Sequence, residues 1–175
     1  MRALVFSDIH GKRDSSLFIL ERIKSFKPDL VMLLGDLLYH GPRNDVPSGY
    51  DPKGVIKDLS SIDIPLIAVR GNCEAEVDQM VLPFPVLSET ALVFDHPYTI
   101  LLSHGHKEVP TKGYTHYFSG HTHIALLEKK DGCVHLNPGS LSLPKDGTGG
   151  SYATWENGNI KLVKLDGSVI AESGV

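Results

Sequence analysis

Four apolar runs in this chain stop on a small residue or a turn and then present side chains able to hold a metal. Ala3–Phe6 leads into Ser7-Asp8-Ile9-His10, Leu30–Leu34 into Gly35-Asp36, Leu66–Val69 into Arg70-Gly71-Asn72, and Thr99–Leu102 into Ser103-His104. A fifth group, Gly120-His121-Thr122-His123, follows Tyr117-Phe118-Ser119 and repeats the i, i+2 spacing of Asp8 and His10. In extended backbone that spacing sends both side chains to one side. The donors are then Asp8, His10, Asp36, Asn72, His104, His121 and His123. This set is too large for one tetrahedral ion and suits two ions that share a carboxylate. Mixed oxygen and nitrogen donors with no obligatory thiolate favour manganese, iron or zinc over a Cys-rich structural zinc site. Two ions roughly 3.5–4 Å apart activate a bridging water and stabilise the attacking and leaving oxygens of an in-line displacement at phosphorus. Two divalent ions against two aspartates and a hydroxide leave a net positive centre, which attracts an anionic phosphate ester.

The elements that must position these residues fall into two halves. Ala3–Phe6, Leu30–Leu34 and Leu66–Val69 read as buried strands, and Leu17, Leu20, Ile23 and Phe26 recur at helical spacing within Asp14–Phe26, with Asp14 or Ser15 as the cap. A loop over Tyr39–Pro52 precedes a short helix near Lys53–Ser60. The order β-α-β-α-β predicts a parallel sheet with helices packed on it, whose carboxyl ends are the usual place for a ligand. Past residue 85 short strands follow: Ala91–Phe94, Thr99–Leu102, Ala125–Glu128, Cys133–Leu136, Tyr152–Trp155 and Ile160–Leu165. Asn157-Gly158 is a strong hairpin signal, and this half reads as mainly antiparallel. The expected architecture is α/β: two packed sheets with helices outside, in a single domain over residues 1–175.

Composition narrows the partners. Seventeen Lys+Arg against 21 Asp+Glu leave a formal charge of −4, and no basic segment is interleaved with aromatics, so no nucleic acid is expected as a partner. The first apolar run breaks at Ser7-Asp8, far short of a signal-peptide core or a membrane span, which predicts a soluble cytoplasmic protein with no membrane partner. Cys73 and Cys133 lack C-x-x-C spacing and read as buried, reduced thiols. His96, His116 and His135 have no motif support and are taken as structural, and Trp155, Phe84, Phe94 and Phe118 as core or interface packing.

The ordered set Asp8-Ile9-His10, Gly35-Asp36, Gly71-Asn72-Cys73-Glu74, His104 and Gly120-His121-Thr122-His123 resembles the calcineurin-like metallophosphoesterase superfamily. Asn137-Pro138-Gly139-Ser140 extends the likeness, and GDLLYHGPRND, AVRGNCEAEVDQM and NPGSLSLPK resemble its small bacterial phosphodiesterases. The resemblance implies a four-layer fold in which helices flank a β-sandwich. It implies one metal on Asp8, His10, Asp36 and His123 and a second on Asp36, Asn72, His104 and His121, with Asp36 bridging. Asp36, Asn72 and His104 are the residues expected to carry catalysis. The implied activity is metal-dependent hydrolysis of a small phosphodiester by a hydroxide bridging two divalent ions. Manganese is the first choice of ion, with iron, zinc or nickel as alternatives. Two other readings stay open: a phosphomonoesterase, and a scaffold, since a retromer subunit has this small fold with an impaired metal site. Relatives often self-associate, so a homo-oligomer is also open.

One departure stands out. The superfamily's histidine after the asparagine, which helps protonate a leaving oxygen in larger relatives, is Cys73 here. Three readings follow: a small packing residue, a substrate contact, or a proton donor or extra ligand. His40, Arg43 and Asn44 in the loop after Asp36 are further candidates for substrate phosphate, as is His106 beside His104. Arg70 is read as orienting a carboxylate such as Glu74 or as holding an inter-strand ion pair.

Overall fold

The computed structural model describes residues 1–173. Its first half follows β1 (Arg2–Phe6), α1 (Arg13–Phe26), β2 (Leu30–Leu33), α2 (Pro52–Ser60), β3 (Leu66–Ala68) and α3 (Glu76–Val81). The second half is all strand: β4 (Thr90–Asp95), β5 (Tyr98–Ser103), β6 (His116–Phe118), β7 (Ala125–Lys130), β8 (Cys133–Pro138), β9 (Ser151–Glu156), β10 (Asn159–Lys164) and β11 (Val169–Ser173). One sheet runs β11-β10-β9-β1-β2-β3 and the other β4-β5-β6-β8-β7.

The continuous apolar runs of β1 and β2 are explained by burial on both faces. Leu4, Phe6, Val31 and Leu33 pack with Ile19, Val55 and Leu59 under α1 and α2. The alternate residues Ala3, Val5, Met32 and Leu34 pack between the sheets against Ile100, Leu102, Phe118, Leu136 and Trp155. Each strand thus serves two cores, as period-two alternation requires.

Several expectations are corrected. The α1 cap is Lys12, without a side-chain cap, and Asp14 lies in the first turn. Lys12 bridges to Tyr50 and the Arg13 N–H donates to Gly49 O, so the long loop, not a capping side chain, starts this helix. The second half is mainly antiparallel, through β4–β5, β7–β8, β9–β10 and β10–β11, but two unexpected parallel pairs, β5–β6 and β6–β8, join it. Its last strands cross over, with β9 pairing antiparallel to β1. Parallel neighbours need a crossover of a dozen residues or more. Residues 104–115 make the one between β5 and β6 without a helix, so no helical period announced it. The two packed sheets of the expected class are present. All helices among the described residues precede β4, so the last helical layer is missing. On that sheet Tyr117 instead stacks on His135 and bonds Ser103.

Trp155 and Phe118 are fully buried, but Phe94 on β4 is 73% exposed and is not core. Cys73 and Cys133 are free, and half-buried where full burial was expected. His116 packs edge-on to Trp155 and Tyr98, a structural role as anticipated. No described helix is long and apolar enough to cross a membrane.

Candidate metal centre

The carboxyl ends of β1, β2, β3, β5 and β6 meet along one seam between the sheets, and the ladder continues past the strands. Asp8 N–H donates to Gly35 O, His10 N–H to Asp36 O, and Gly120 N–H to His104 O, at 3.1, 2.9 and 3.0 Å. Asp8, His10, Asp36, His121 and His123 all have positive φ, between 49° and 69°. The two i, i+2 pairs therefore converge because each residue sits in a left-handed turn, not because extended backbone alternates. Such conformations are uncommon for non-glycine residues and collect at functional sites. The turns interlock closely. A Cβ on Gly71 would strike Asp36, and one on Gly120 would strike Ser7 and Asp8.

Side chains converge to match. His10 Nε2 lies 3.1 Å from His123 Nε2, 3.5 Å from Asp8 Oδ1 and 3.7 Å from Asp36 Oδ2. His123 Nε2 is 3.2 Å from Asp8 Oδ1. His104 Nε2 is 3.4 Å from Asp36 Oδ2 and 3.2 Å from Asn72 Oδ1. Ligands on a shared ion with 2.0–2.1 Å bonds stand roughly 2.9–3.4 Å apart. The ring tautomers follow from the other nitrogen: His10, His104 and His123 Nδ1 face the carbonyls of Tyr39, Leu34 and Leu143 at 2.8, 2.6 and 2.7 Å. A carbonyl only accepts, so Nδ1 carries a proton and each ring, when neutral, turns its Nε2 lone pair inward. His10 and His123 then face each other lone pair to lone pair. Asp8 Oδ1, buried without a hydrogen-bond partner, points at the same place. Only a proton or a cation relieves that arrangement, so the residues present fit a metal ion. His121 joins through its ring, 5.1 Å from that of His104.

Electrostatics agree with this reading. Burial alone would raise the Asp8 pKa, yet the adjoining His10 and His123 rings, able to take up a proton, hold it far below the ordinary carboxylate range. Asp36 is likewise lowered, its bond to His104 outweighing burial. Burial pulls His104 down, but Asp36 and Asp8 lift it to about 9. His121 and His106 are pushed down by burial and by the charge of His104.

The surrounding supports were not visible in the sequence. Ser7 donates to Asp8 Oδ2 at 2.6 Å, and Ser140 and Ser142 both donate to Asp8 O. Asn137 donates to Gly120 O at 2.7 Å, which gives the Asn137–Ser140 segment its role. The buried Glu74 carboxylate accepts from the N–H groups of Asp36, Leu37 and Gly71, tying two ligand turns together. Burial and the Asp36 charge push Glu74 up to about 7 against those three donors. Arg70 contacts the Glu74 backbone carbonyl, not its carboxylate, and reaches Glu89 at 4.0 Å. Runs of polar residues at strand ends were the signal that could have flagged Ser7, Asn137 and Ser140.

A cavity of about 370 Å³ opens over Asp36, Asn72, His121 and His123, with Arg43, Asn44 and Lys145 among its walls. Arg43 and Asn44 are where the sequence placed them. Lys145, in the loop between β8 and β9, was missed. His40 is not in the lining: its ring sits edge-on to Tyr39 and Tyr50, and Asn44 binds its carbonyl. That loop folds back on its own aromatics and keeps the imidazole there. His106 is also outside the lining, 5.3 Å from the His104 ring. Cys73 Sγ groups with His10 and Asp36, all three donor atoms lying within 4.8 Å of one another. Burial and the Asp36 charge push its thiol pKa up while no cation is bound.

An α/β sandwich with donors of this kind at its strand ends defines a phosphoesterase fold. Residues 1–159 match the calcineurin-like phosphoesterase superfamily domain, and the chain belongs to that superfamily. It is 36% identical over 181 aligned positions to phosphodiesterase YfcE of Escherichia coli K12, spanning 100% of this chain and 98% of the relative. The solved structure of that E. coli phosphoesterase superposes with TM-score 0.94 at 37% identity, covering 99% and 98% of the two chains. Vacuolar protein sorting 29 of Cryptosporidium parvum shares the fold at TM-score 0.68 and 19% identity, over 98% and 96%.

Proposed function

We propose that this protein is a phosphodiesterase working with two divalent ions, manganese by preference. One ion is held by Asp8, His10, Asp36 and His123, and the other by Asp36, Asn72, His104 and His121. The observation that carries this is a pair of imidazole Nε2 atoms 3.1 Å apart, each ring anchored to a carbonyl through Nδ1, beside an unpartnered buried carboxylate oxygen. When bound, the ions supply an activated water and positive charge against the phosphate. The chain's own residues do the rest. Asp36 belongs to both donor sets, and Asn72 and His104 complete the second. Arg43 and Lys145 draw the anionic phosphate in, Arg43 with two parallel donors, and Asn44 adds a neutral one. The full size match to YfcE supports diester substrates over monoesters, and the complete donor set supports an enzyme over a scaffold. A cytoplasmic location remains part of the proposal, as does a small-molecule substrate with no nucleic acid or membrane partner.

Cys73 stands where an imidazole would protonate a leaving oxygen. An ordinary thiol, with a pKa of about 8.5, is a weaker acid than an imidazolium, about 6.5. The expected substrates are therefore diesters whose leaving group needs little protonation. Measured kcat/KM across diesters of graded leaving-group pKa should fall steeply for the parent and less steeply for Cys73→His; equal slopes remove the idea. The function itself is tested by hydrolysis of bis(p-nitrophenyl) phosphate and p-nitrophenyl phosphate after manganese loading. A protein holding two ions that cleaves neither ester is a scaffold. One that prefers the second is a monoesterase.

A further inference from the structure

Cys73 borders two environments. On one side its sulfur groups with His10 and Asp36, and its backbone N–H donates to Asp36 Oδ1 at 2.9 Å. It also lines a groove of about 460 Å³ walled by Leu38, Tyr39, Tyr50, Ile56, Val77 and Val81. That volume lies within the usual range for a small-molecule site. The one charged residue on the lining is Asp78, whose carboxylate already accepts from Ala75 N–H.

The walls are not ordinary core. No residue of α3 is buried, and Val77 and Val81 are 58% and 44% exposed. Their i, i+4 spacing places both on one helical face. Tyr39 is 42% exposed opposite them, and the His40 ring, 4.6 Å from Tyr39 and 5.3 Å from Tyr50, holds the two phenol rings in place. Scattered exposed apolar residues need no explanation, but a contiguous apolar wall does. Gly41 keeps the inner end open, since a Cβ there would press on Cys73 Sγ at 3.1 Å.

We propose that this groove seats an apolar, preferably aromatic, ester group of the substrate while its phosphate lies over Asp36 and Asn72. The inference rests on the phosphodiesterase reading above and names the substrate class within it. Its ground is continuity. Asn72 faces the phosphate cavity and its chain neighbour Cys73 faces the groove, so a diester spanning one residue step places its charged centre and one organic arm in matching surroundings. A thiol at this threshold is less hydrated than an imidazole and extends the apolar wall to the donors.

The test uses binding, so that it does not depend on turnover. Methylphosphonate, phenylphosphonate and 2-naphthylphosphonate, whose C–P bonds resist hydrolysis, are titrated calorimetrically into manganese-loaded protein. Affinity should rise roughly tenfold or more from methyl to naphthyl, the scale on which apolar pockets discriminate. The double variant Val77→Asn/Val81→Asn should reduce that ratio to less than about threefold, while Leu92→Asn, on exposed β4, keeps it. A flat series in the parent, or an unchanged ratio in the double variant, overturns the proposal. So does a double variant that dissociates an oligomer in ultracentrifugation while the ratio stays, which would make the groove a contact between copies. A metal-loaded protein that binds the series as expected yet hydrolyses no diester would remove the phosphodiesterase reading and leave the apolar site.

Discussion

His10, His104 and His123 each give their Nδ1 proton to a backbone carbonyl, whereas His40 and His106, only a few residues from ligands, have a buried Nδ1 with no partner. The first three are fixed in tautomer and ring angle before any ion arrives. The other two are held by neighbouring rings alone. Anchoring the far nitrogen raises ligand basicity and orients the lone pair, so it marks His10, His104 and His123 as the pre-oriented members of the proposed donor set, whereas His121 has only its backbone N–H bonded, to Asp8. Five of nine histidines could have been argued into the centre from spacing. Outer hydrogen bonds set three of them, His10, His104 and His123, apart from His106.

The comparison can be broken in several places. Asp36→Asn should have the largest effect, because Asp36 faces both His10 and His104: diester hydrolysis falls by about 10³-fold or more, and elemental analysis shows fewer than two ions bound. His10→Ala or His123→Ala should cost about 100-fold and retain one ion, whereas loss of both ions would show that the two sites do not bind separately. Ser7→Ala removes the 2.6 Å bond to Asp8 and should weaken metal affinity about 10- to 100-fold, read by competition with a chelator.

Protonation sharpens the same contrast. Asp36 and Asp8 hold the folded His104 pKa at about 9, above the ordinary histidine value of about 6.5. In chelator-treated protein its contribution to stability is therefore complete below about pH 6.5 and is lost as pH rises through about 9. Tm measured with chelator should fall by about 5 °C from pH 6 to pH 9.5. With manganese the dependence should reverse between pH 5 and 7, because metal binding needs the neutral ring. A Tm that rises with pH in chelator would show that His104 is not held by Asp36. The smallest effect is expected of His106→Gln, with less than about a threefold loss of kcat/KM and full metal content. A loss as large as that of His10→Ala would place His106 among the ligands.

Much of the centre was legible because its residue types carry the chemistry and its strand ends carry the geometry. Asp8, Asp36, Asn72 and His104 each close a buried apolar run, and such a run must end where its sheet ends. His121 and His123 both border the cavity, but positive φ at both residues, not strand alternation, turns them there. Lys145 and Glu74 illustrate what stayed hidden. Lys145 reaches the cavity because its N–H donates to His123 O, and Glu74 acts through N–H groups 37 and 38 residues away in sequence. Strand β11 and the parallel pairing of β5 with β6 were missed because neither has a local period that distinguishes it.

Sequence by itself determined the candidate donors, the two-faced burial of β1 and β2, and the thiol in place of an imidazole at position 73, since each follows from side-chain type at a spacing of a few residues. Tertiary structure decided which imidazoles turn a lone pair inward, which loop residues reach the cavity, and that an exposed helix and two tyrosines form one apolar wall beside Cys73. Those outcomes depend on backbone carbonyls and side chains brought together from distant segments, and no local pattern encodes such meetings.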